Sequence, residues 1–403
     1  MILLIWESIM SPEEKPILRQ IDVIPGQYEG KSVIFLRDPV GFVEEMIALP
    51  AQVLFFLSLM DGNHDLRDLQ VEATKKFGSI VPLEEIINLV KFLDEKGFLW
   101  SKNFEEIKER AYESWFQQKL RLMAHAGISY PHEKEEAKNF LEDIFKLSSA
   151  NSKEVPRILI VPHLDVRSGA RAYAEGYRRF QIPSGARVVI FGVGHYLDYP
   201  YSVLTKDVAT PFGILRNDRG GLLYLVNAKK IELFPDHIVH KLEHSVEFQT
   251  LFLSYLKGEE VVILPFLIGS HRLLFENKAL VEMLVSALIE LIDEKSYLVL
   301  GIDFCHLGLR YGDPYPINES LSQKALEVDK TLLELTFEGK VKDLEDFILE
   351  TENMKICGAS SLYLLAHLLQ KGAFKGKGEI FYQEVVPFGE GSAVSIASAG
   401  YFF

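Results

Sequence analysis

Four short, almost unbroken aliphatic runs constrain this chain most: RILIVP (157–162), ARVVIFGVG (186–194), EVVILPFLIG (260–269) and SYLVLGIDF (296–304). A strand with one wet face alternates apolar and polar residues. One buried on both faces reads as continuous Val, Ile and Leu. Segments with helical apolar spacing lie between or after these runs, at 169–180, 277–294, 318–337, 340–350 and 358–370. Strands alternating with helices predict an α/β fold: a mostly parallel central sheet flanked by helices on both faces. No internal repeat is evident.

Residues 1–110 read differently. Segments 20–25 and 31–37 suit short strands. FVEEMIALPAQVLFFLSLMDG (42–62) has helical spacing broken by Pro50 and ended by Gly62. Asp65 is placed to cap a helix reaching about Phe77, and 81–100 repeats apolar residues every three to four positions, with Gly97 as its stop. Three helices followed by the strand-like FLW suggest a small winged-helix-like α+β module, with residues 111–403 as a second domain and a charged helical connector over 104–122. The first 110 residues hold 12 Lys/Arg against 19 Asp/Glu. A DNA-reading winged helix needs a basic face, so docking or peptide recognition is the expected role.

The 403 residues carry 57 acidic and 43 basic side chains, a net charge of −14, which argues against nucleic acid as the main partner. Two cysteines cannot form a disulfide framework for a chain of this length. No apolar run approaches the roughly 20 residues of a membrane span, and the opening MILLIWES lacks the pattern of a signal peptide. The expectation is a cytoplasmic protein with no membrane partner.

In open α/β sheets, ligands bind beyond the carboxyl ends of the strands. The first run ends in Pro162-His163, the second in Gly194-His195 and the fourth in Asp303-Phe304-Cys305-His306. Three of four buried strands therefore deliver metal-capable side chains to one edge. A lone histidine is most simply a hydrogen-bonded structural residue; several at matching strand ends point to a site. Cys357, in KICGASS before a helix expected from Ala359, is a candidate third ligand, because a helix N-terminus favours the thiolate. Cys305 competes with it, although a thiol beside Phe304 also suits a buried core position. Ligands so dispersed along the chain imply a site assembled by the fold, with open coordination positions.

EHSVEFQ (243–249) puts Glu243, His244 and Glu247 at the start of an apolar helical stretch. It reads equally as a helix start with carboxylates complementing the dipole and as catalytic apparatus. In AHAG (124–127), Gly127 permits close backbone approach, and His125 either faces the site or packs. Gly192-Val193-Gly194 lacks the third glycine and the acidic residue of a dinucleotide loop. His64, His132, His237, His240, His271 and His367 read as surface or hydrogen-bonded structural residues.

VPH (161–163), FGVGH (191–195), VATPFG (208–213), EHSVE (243–247), ILPFLIG (263–269), DFCHLG (303–308) and KICG (355–358), with AHAGISY (124–130) ahead of them, resemble in sequence and order the motifs of the Memo-like family. The resemblance spans about residues 120–403. It implies a class III extradiol dioxygenase-type fold holding one metal ion through His163, His195 and Cys357. Asp303 and His306 would stand beside the metal, and Glu243 and His244 would match the family's glutamate-histidine pair. Iron(II) is the first expectation for the ion, copper or zinc the alternatives. The implied activity is non-haem iron redox or dioxygenase-like chemistry on a small organic substrate, with His306 or His244 as general base. The alternative is a non-catalytic module that handles iron or copper, or binds a protein such as a radical-SAM partner. Two departures bear on the pocket: HLDVRSG replaces the family's HAGY, bringing Asp165 and Arg167, and Tyr196 stands where a second histidine is common.

Overall fold

The computed structural model describes residues 11–150 and 154–402. The chain divides into two compact units after Gln117. That is later than the expected 110/111 boundary, because the connector is one continuous helix to Gln117.

The N-terminal unit runs β1 (Asp22–Tyr28), β2 (Lys31–Arg37), β3 (Ile47–Pro50), α1 (Val53–Leu57), α2 (Leu66–Phe77), α3 (Leu83–Glu95) and α4 (Lys102–Gln117). Glu29 and Gly30, both at positive φ, turn β1 into β2 as a two-residue hairpin. The helix expected over 42–62 is corrected. Ile47–Pro50 is the third strand, paired antiparallel with β2, and only Val53–Leu57 is α-helical. Pro50 lacks an amide donor and sits at the end of an edge strand, where none is needed. The α2 start is as expected: Asp65 accepts from the amides of Arg67 and Asp68, and Asp68 bonds back to the Asp65 amide. FLW forms no wing strand; Leu99 makes an isolated bridge to Leu18.

The second unit begins with β4 (Leu120–Arg121), α5 (Lys134–Phe145), β5 (Ile158–Val161), α6 (Ala170–Tyr177), β6 (Arg187–Val193), β7 (Tyr201–Val203), β8 (Asp207–Thr210), β9 (Gly213–Asn217) and α7 (Arg219–Leu223). It continues through α8 (His244–Lys257), β10 (Val262–Ile268), α9 (His271–Glu276), α10 (Lys278–Leu291), β11 (Ser296–Gly301), β12 (His306–Gly308), α11 (Glu319–Phe337), α12 (Val341–Glu350), α13 (Ala359–Gln370), β13 (Lys377–Pro387) and β14 (Ser392–Phe402).

The four aliphatic runs are the core strands β5, β6, β10 and β11. They stand in the order β5-β11-β6-β10, all parallel. The sheet as a whole is mixed, since β14, β13 and β12 extend it antiparallel beyond β5, and β8 pairs antiparallel with β9 on the other side. Ile158, Ile160, Val189, Phe191, Leu298 and Leu300 face the core beneath α10–α13. The opposite face meets α6 and α8: Gly176 of α6 lies against Leu159 and Val161, and Gly192 of β6 lies against Ser245 and Val246. Among the described residues, no helix is long and apolar enough to cross a membrane.

Candidate metal centre

Because β5, β11 and β6 are adjacent and parallel, their carboxyl ends open at one place. His163, Asp303 and His195 each follow the last residue of their strand by two positions. The N-terminus of α8 closes over these strand ends. Ser245 Oγ donates to the Val193 carbonyl at 3.0 Å and accepts from the Val193 amide at 2.9 Å. Glycine is required for this approach: a Cβ on Gly301 would lie 2.4 Å from both the Ser245 carbonyl oxygen and Gln249 Nε2. Glu243, the N-cap, and His244, the first helical residue, are thereby carried to the ends of β5 and β6.

The imidazoles of His163, His195 and His244 stand with ring centroids 5.0–5.1 Å apart. One ring nitrogen from each lies within 4.8 Å of the others, the group of potential ligands found among the described residues. Their tautomers follow from their partners. His163 Nδ1 is 2.9 Å from the Gly301 carbonyl, His195 Nδ1 is 3.0 Å from Glu243 Oε2, and His244 Nδ1 is 3.1 Å from Glu243 Oε1. Carbonyl and carboxylate oxygens only accept here, so the Nδ1 atoms of His163 and His195 carry protons, and Nε2 of His163, whose pKa is lowered, keeps its lone pair. Orientation of ligand imidazoles by such partners is the usual support of a metal site. Three imidazoles, backed in this way and open to solvent on the His195 side, fit a metal ion, whose binding would displace any second proton from a ring it takes as ligand.

Charge is arranged to match. Burial pushes the His163 pKa well below its usual value, and the neighbouring His195 and His244 push it further down. Burial alone would raise the Glu243 pKa, but His195 and His244 outweigh it and hold the carboxyl well below its usual range. Burial also works to lower the His195 pKa; Glu243 overcomes this and raises it. The Asp303 carboxyl is pushed up to about 6 by burial, against the His163 and Leu164 amides that donate to its Oδ1. Its Oδ2 is 3.6 Å from His163 Nε2.

The stretch 121–399 matches the sequence profile described as Memo-like protein. The chain belongs to the Memo-like family. A MEMO1 family protein of Aquifex aeolicus is 36% identical over 308 residues, covering 76% of this chain and 79% of the relative. One from Thermus thermophilus is 32% identical over 286 residues, covering 70% and 82%. One from Thermoplasma volcanium is 24% identical over 257 residues, covering 62% and 87%.

In this Memo-like chain, the expected site residues are gathered unequally. Cys357, just before α13, comes to 3.5 Å from His163 Nε2, and its thiol donates to the Asp303 carbonyl at 3.3 Å. Burial and then the Asp303 carboxylate push that thiol well above its usual pKa, so the helix start does not by itself yield a thiolate. Cys305 is turned into the core toward Asp329, 3.3 Å away, and does not join the cluster. His306 donates from Nδ1 to the Phe304 and Lys355 carbonyls at 3.0 and 3.1 Å; burial first, then the charge of His195, lowers its pKa to about 4. It is therefore a neutral ring with Nε2 as acceptor. Glu243 has both carboxylate oxygens engaged by N–H groups, which makes it the residue that orients His195 and His244.

Two features lie beyond the sequence reading. Glu247, one turn into α8, is buried and accepts from Arg121, from the Ala124 and His125 amides at 3.0 and 2.8 Å, and from the Tyr130 hydroxyl at 2.6 Å. It straps the AHAGISY loop to the helix that bears His244. His125 donates from Nε2 to the Leu242 carbonyl at 2.8 Å, with its ring 5.7 Å from that of His244. The departing segment after His163 has a structural use: Arg167 donates to the Ile128 and Ser129 carbonyls, both at 2.8 Å, fastening the same loop. The signal available in the sequence was the carboxylate at 247, three residues after His244.

Proposed function

We propose that the second unit is a mononuclear metal protein. The ion is held by His163, His195 and Cys357; it is iron(II), and the activity is redox or dioxygenase-like chemistry on a small organic substrate. The observation that carries this reading is the group of three imidazoles, each with Nδ1 beside a carbonyl or carboxylate oxygen and with one ring nitrogen from each within 4.8 Å of the others. Cys357, beside His163, supplies the anionic donor once its proton is displaced. Bound there, a divalent redox ion with open positions supplies oxygen or electron chemistry. The protein's own groups do the rest. His306, neutral at pH 7, accepts a proton from a substrate hydroxyl at Nε2. Asp303 holds the backbone of His163 and Leu164, and Glu243 holds the rings of His195 and His244.

Metal analysis after anaerobic reconstitution with iron(II), followed by oxygen uptake with catechols and phenols, tests this reading. One equivalent of iron is expected, lost in His163→Ala and His195→Ala and weakened in Cys357→Ser. A chain that retains no metal after reconstitution ends the proposal.

A second reading is metal handling without turnover. It draws on the His163–His195–His244 group, a set of nitrogen donors that suits copper or zinc without a thiolate. Metal retained by Cys357→Ser but lost by His244→Ala, with no oxygen uptake, favours it. For the acidic N-terminal unit we propose docking of a protein partner, a radical-SAM protein being the candidate that the family resemblance implies.

A further inference from the structure

Lys355 is one of the few non-glycine residues in the left-handed region, at φ 52° and ψ 58°. Such a conformation disfavours a side chain with a Cβ and persists where the surroundings over-determine it. Here it lies two residues before Cys357, and both ends of the lysine are in use. Its carbonyl accepts from His306 Nδ1 at 3.1 Å. Its ammonium pairs with Asp313 Oδ1, while Asp313 Oδ2 accepts from the Gly308 amide at 2.7 Å. The Asp313 amide donates back to the Gly308 carbonyl at 3.2 Å.

The segment bearing Cys357 and the segment 303–313 are thus stitched by four contacts. These are the Gly358 amide and the Cys357 thiol to the Asp303 carbonyl at 3.0 and 3.3 Å, the His306 ring to the Lys355 carbonyl, and the Lys355 ammonium to Asp313. An imidazole that donates from Nδ1 must present Nε2 as an acceptor when neutral. The Phe304 carbonyl, 3.0 Å from Nδ1, is one acceptor for that proton, and residue 355 decides whether a second carbonyl is there to share it.

We propose that Lys355, clamped by Asp313, is a positioning residue: its left-handed backbone adds a second carbonyl to that of Phe304 and so holds His306 in the Nδ1–H tautomer, with Nε2 as the atom His306 offers at the centre. A lysine serves where glycine would fit the backbone more easily, because the ammonium anchors the turn to Asp313. The inference rests on the proposed function only for the role of His306 beside the ion; the tautomer itself requires no metal.

The test is the ring ¹⁵N spectrum of His306 in the full chain without metal and again with zinc. Four variants are compared with the wild type: Lys355→Val, Lys355→Gly, Lys355→Arg and Asp313→Asn. Valine resists the left-handed conformation, so Lys355→Val is expected to raise the Nε2–H to Nδ1–H ratio about tenfold, the effect of one lost hydrogen bond. Lys355→Gly keeps the carbonyl in place without the ammonium; its tautomer is expected to hold while exchange of the Gly308 amide quickens about tenfold. Asp313→Asn should reproduce that faster exchange, and Lys355→Arg should restore wild-type behaviour. Unchanged His306 ring shifts in folded Lys355→Val overturn the proposal. If that variant does not fold, a Gly308 amide that exchanges at the wild-type rate in both Lys355→Gly and Asp313→Asn overturns it instead. Absence of metal binding would end the proposed function while leaving the metal-free spectra to decide the tautomer.

Discussion

Glu247→Gln is the most direct test of how the site is held together, because its effect does not depend on any metal. The carboxylate is buried, with Oε2 taking Arg121 and the Ala124 amide and Oε1 taking the His125 amide and the Tyr130 hydroxyl. Glutamine fills the same space but offers one acceptor oxygen. Its NH₂ group must then face either the Arg121 side, where only donors wait, or the His125–Tyr130 side, where the Tyr130 hydroxyl can turn to accept but the His125 amide cannot. At least one hydrogen bond and the charge that balances a buried Arg121 are lost together, while Arg121 keeps the His240 and Glu243 carbonyls. Removing one partner of a buried ion pair costs about 3–5 kcal/mol. For a unit of this size, that corresponds to a fall in Tm of the order of 10 °C. The loss should carry a pH signature. Burial works to raise the Glu247 pKa, but Arg121 and the other donors outweigh it and lower it. The carboxylate therefore contributes its full stability above the ordinary glutamate range and loses it as pH falls through the depressed value, so the gap between wild type and variant should narrow in strong acid. Thermal melts followed by near-ultraviolet circular dichroism at several pH values, with amide exchange over 124–130, measure both effects. A Tm within about 2 °C of wild type at pH 7, or unchanged exchange in that loop, would refute the claim that Glu247 straps the loop to α8.

Gly301→Ala puts a methyl group 2.4 Å from the Ser245 carbonyl oxygen, so α8 must move off the strand ends; a stability loss of about 1–3 kcal/mol is expected, with weaker metal retention, and an unperturbed crystal structure would contradict it. Glu243→Ala removes the N-cap of α8 and the partner of two imidazoles, and should reduce metal affinity about 10–100-fold by titration calorimetry. Asp329, raised to about 7 by burial, holds its proton in the folded chain where an unfolded chain would release it. Its contribution is thus most favourable at low pH and declines as pH rises from the ordinary aspartate range toward 7, so Asp329→Asn should flatten the urea midpoint between pH 5 and 8; equal slopes in the two proteins would exclude this. Removal of residues 1–117 should leave metal content intact while abolishing capture of a protein partner; a complex that survives the deletion would count against the docking role.

The central sheet was legible because strands buried on both faces leave no choice of residue. Each of the four aliphatic runs became a core strand, and the helices expected at 169–180, 277–294, 318–337, 340–350 and 358–370 formed with small changes at their ends. The antiparallel strands escaped notice for the converse reason. β13 is mostly part-buried and interleaves charged residues, and β14 is rich in Ser, Ala and Gly, which pack closely yet read as weakly apolar. Segment 42–62 misled because apolar residues three to four apart also satisfy a short strand followed by one helical turn, and Pro50 marks the end of an edge strand as well as a helix break.

The site divides along the same line. His163, His195 and Asp303 could be placed from sequence because a parallel sheet sends every strand's carboxyl end to one edge, and the position after a buried run is then a spatial coordinate. His244 and Cys357 carry no such coordinate, since their positions depend on how α8 and α13 dock. The docking of α8 is written in residues with other uses: Gly192 and Gly301, which lie near the ends of strands, and Glu247, which in sequence reads as a dipole-complementing acid but binds the loop from Ala124 to Tyr130. The departure that replaced HAGY with HLDVRSG follows the same logic. Arg167 does not add free charge to the pocket; it spends its guanidinium on the carbonyls of Ile128 and Ser129. Loop, helix start and strand ends are thereby one hydrogen-bonded assembly. A substitution at Glu247 or Arg167, outside the group of imidazoles, should alter the geometry at His244 before it alters the sheet.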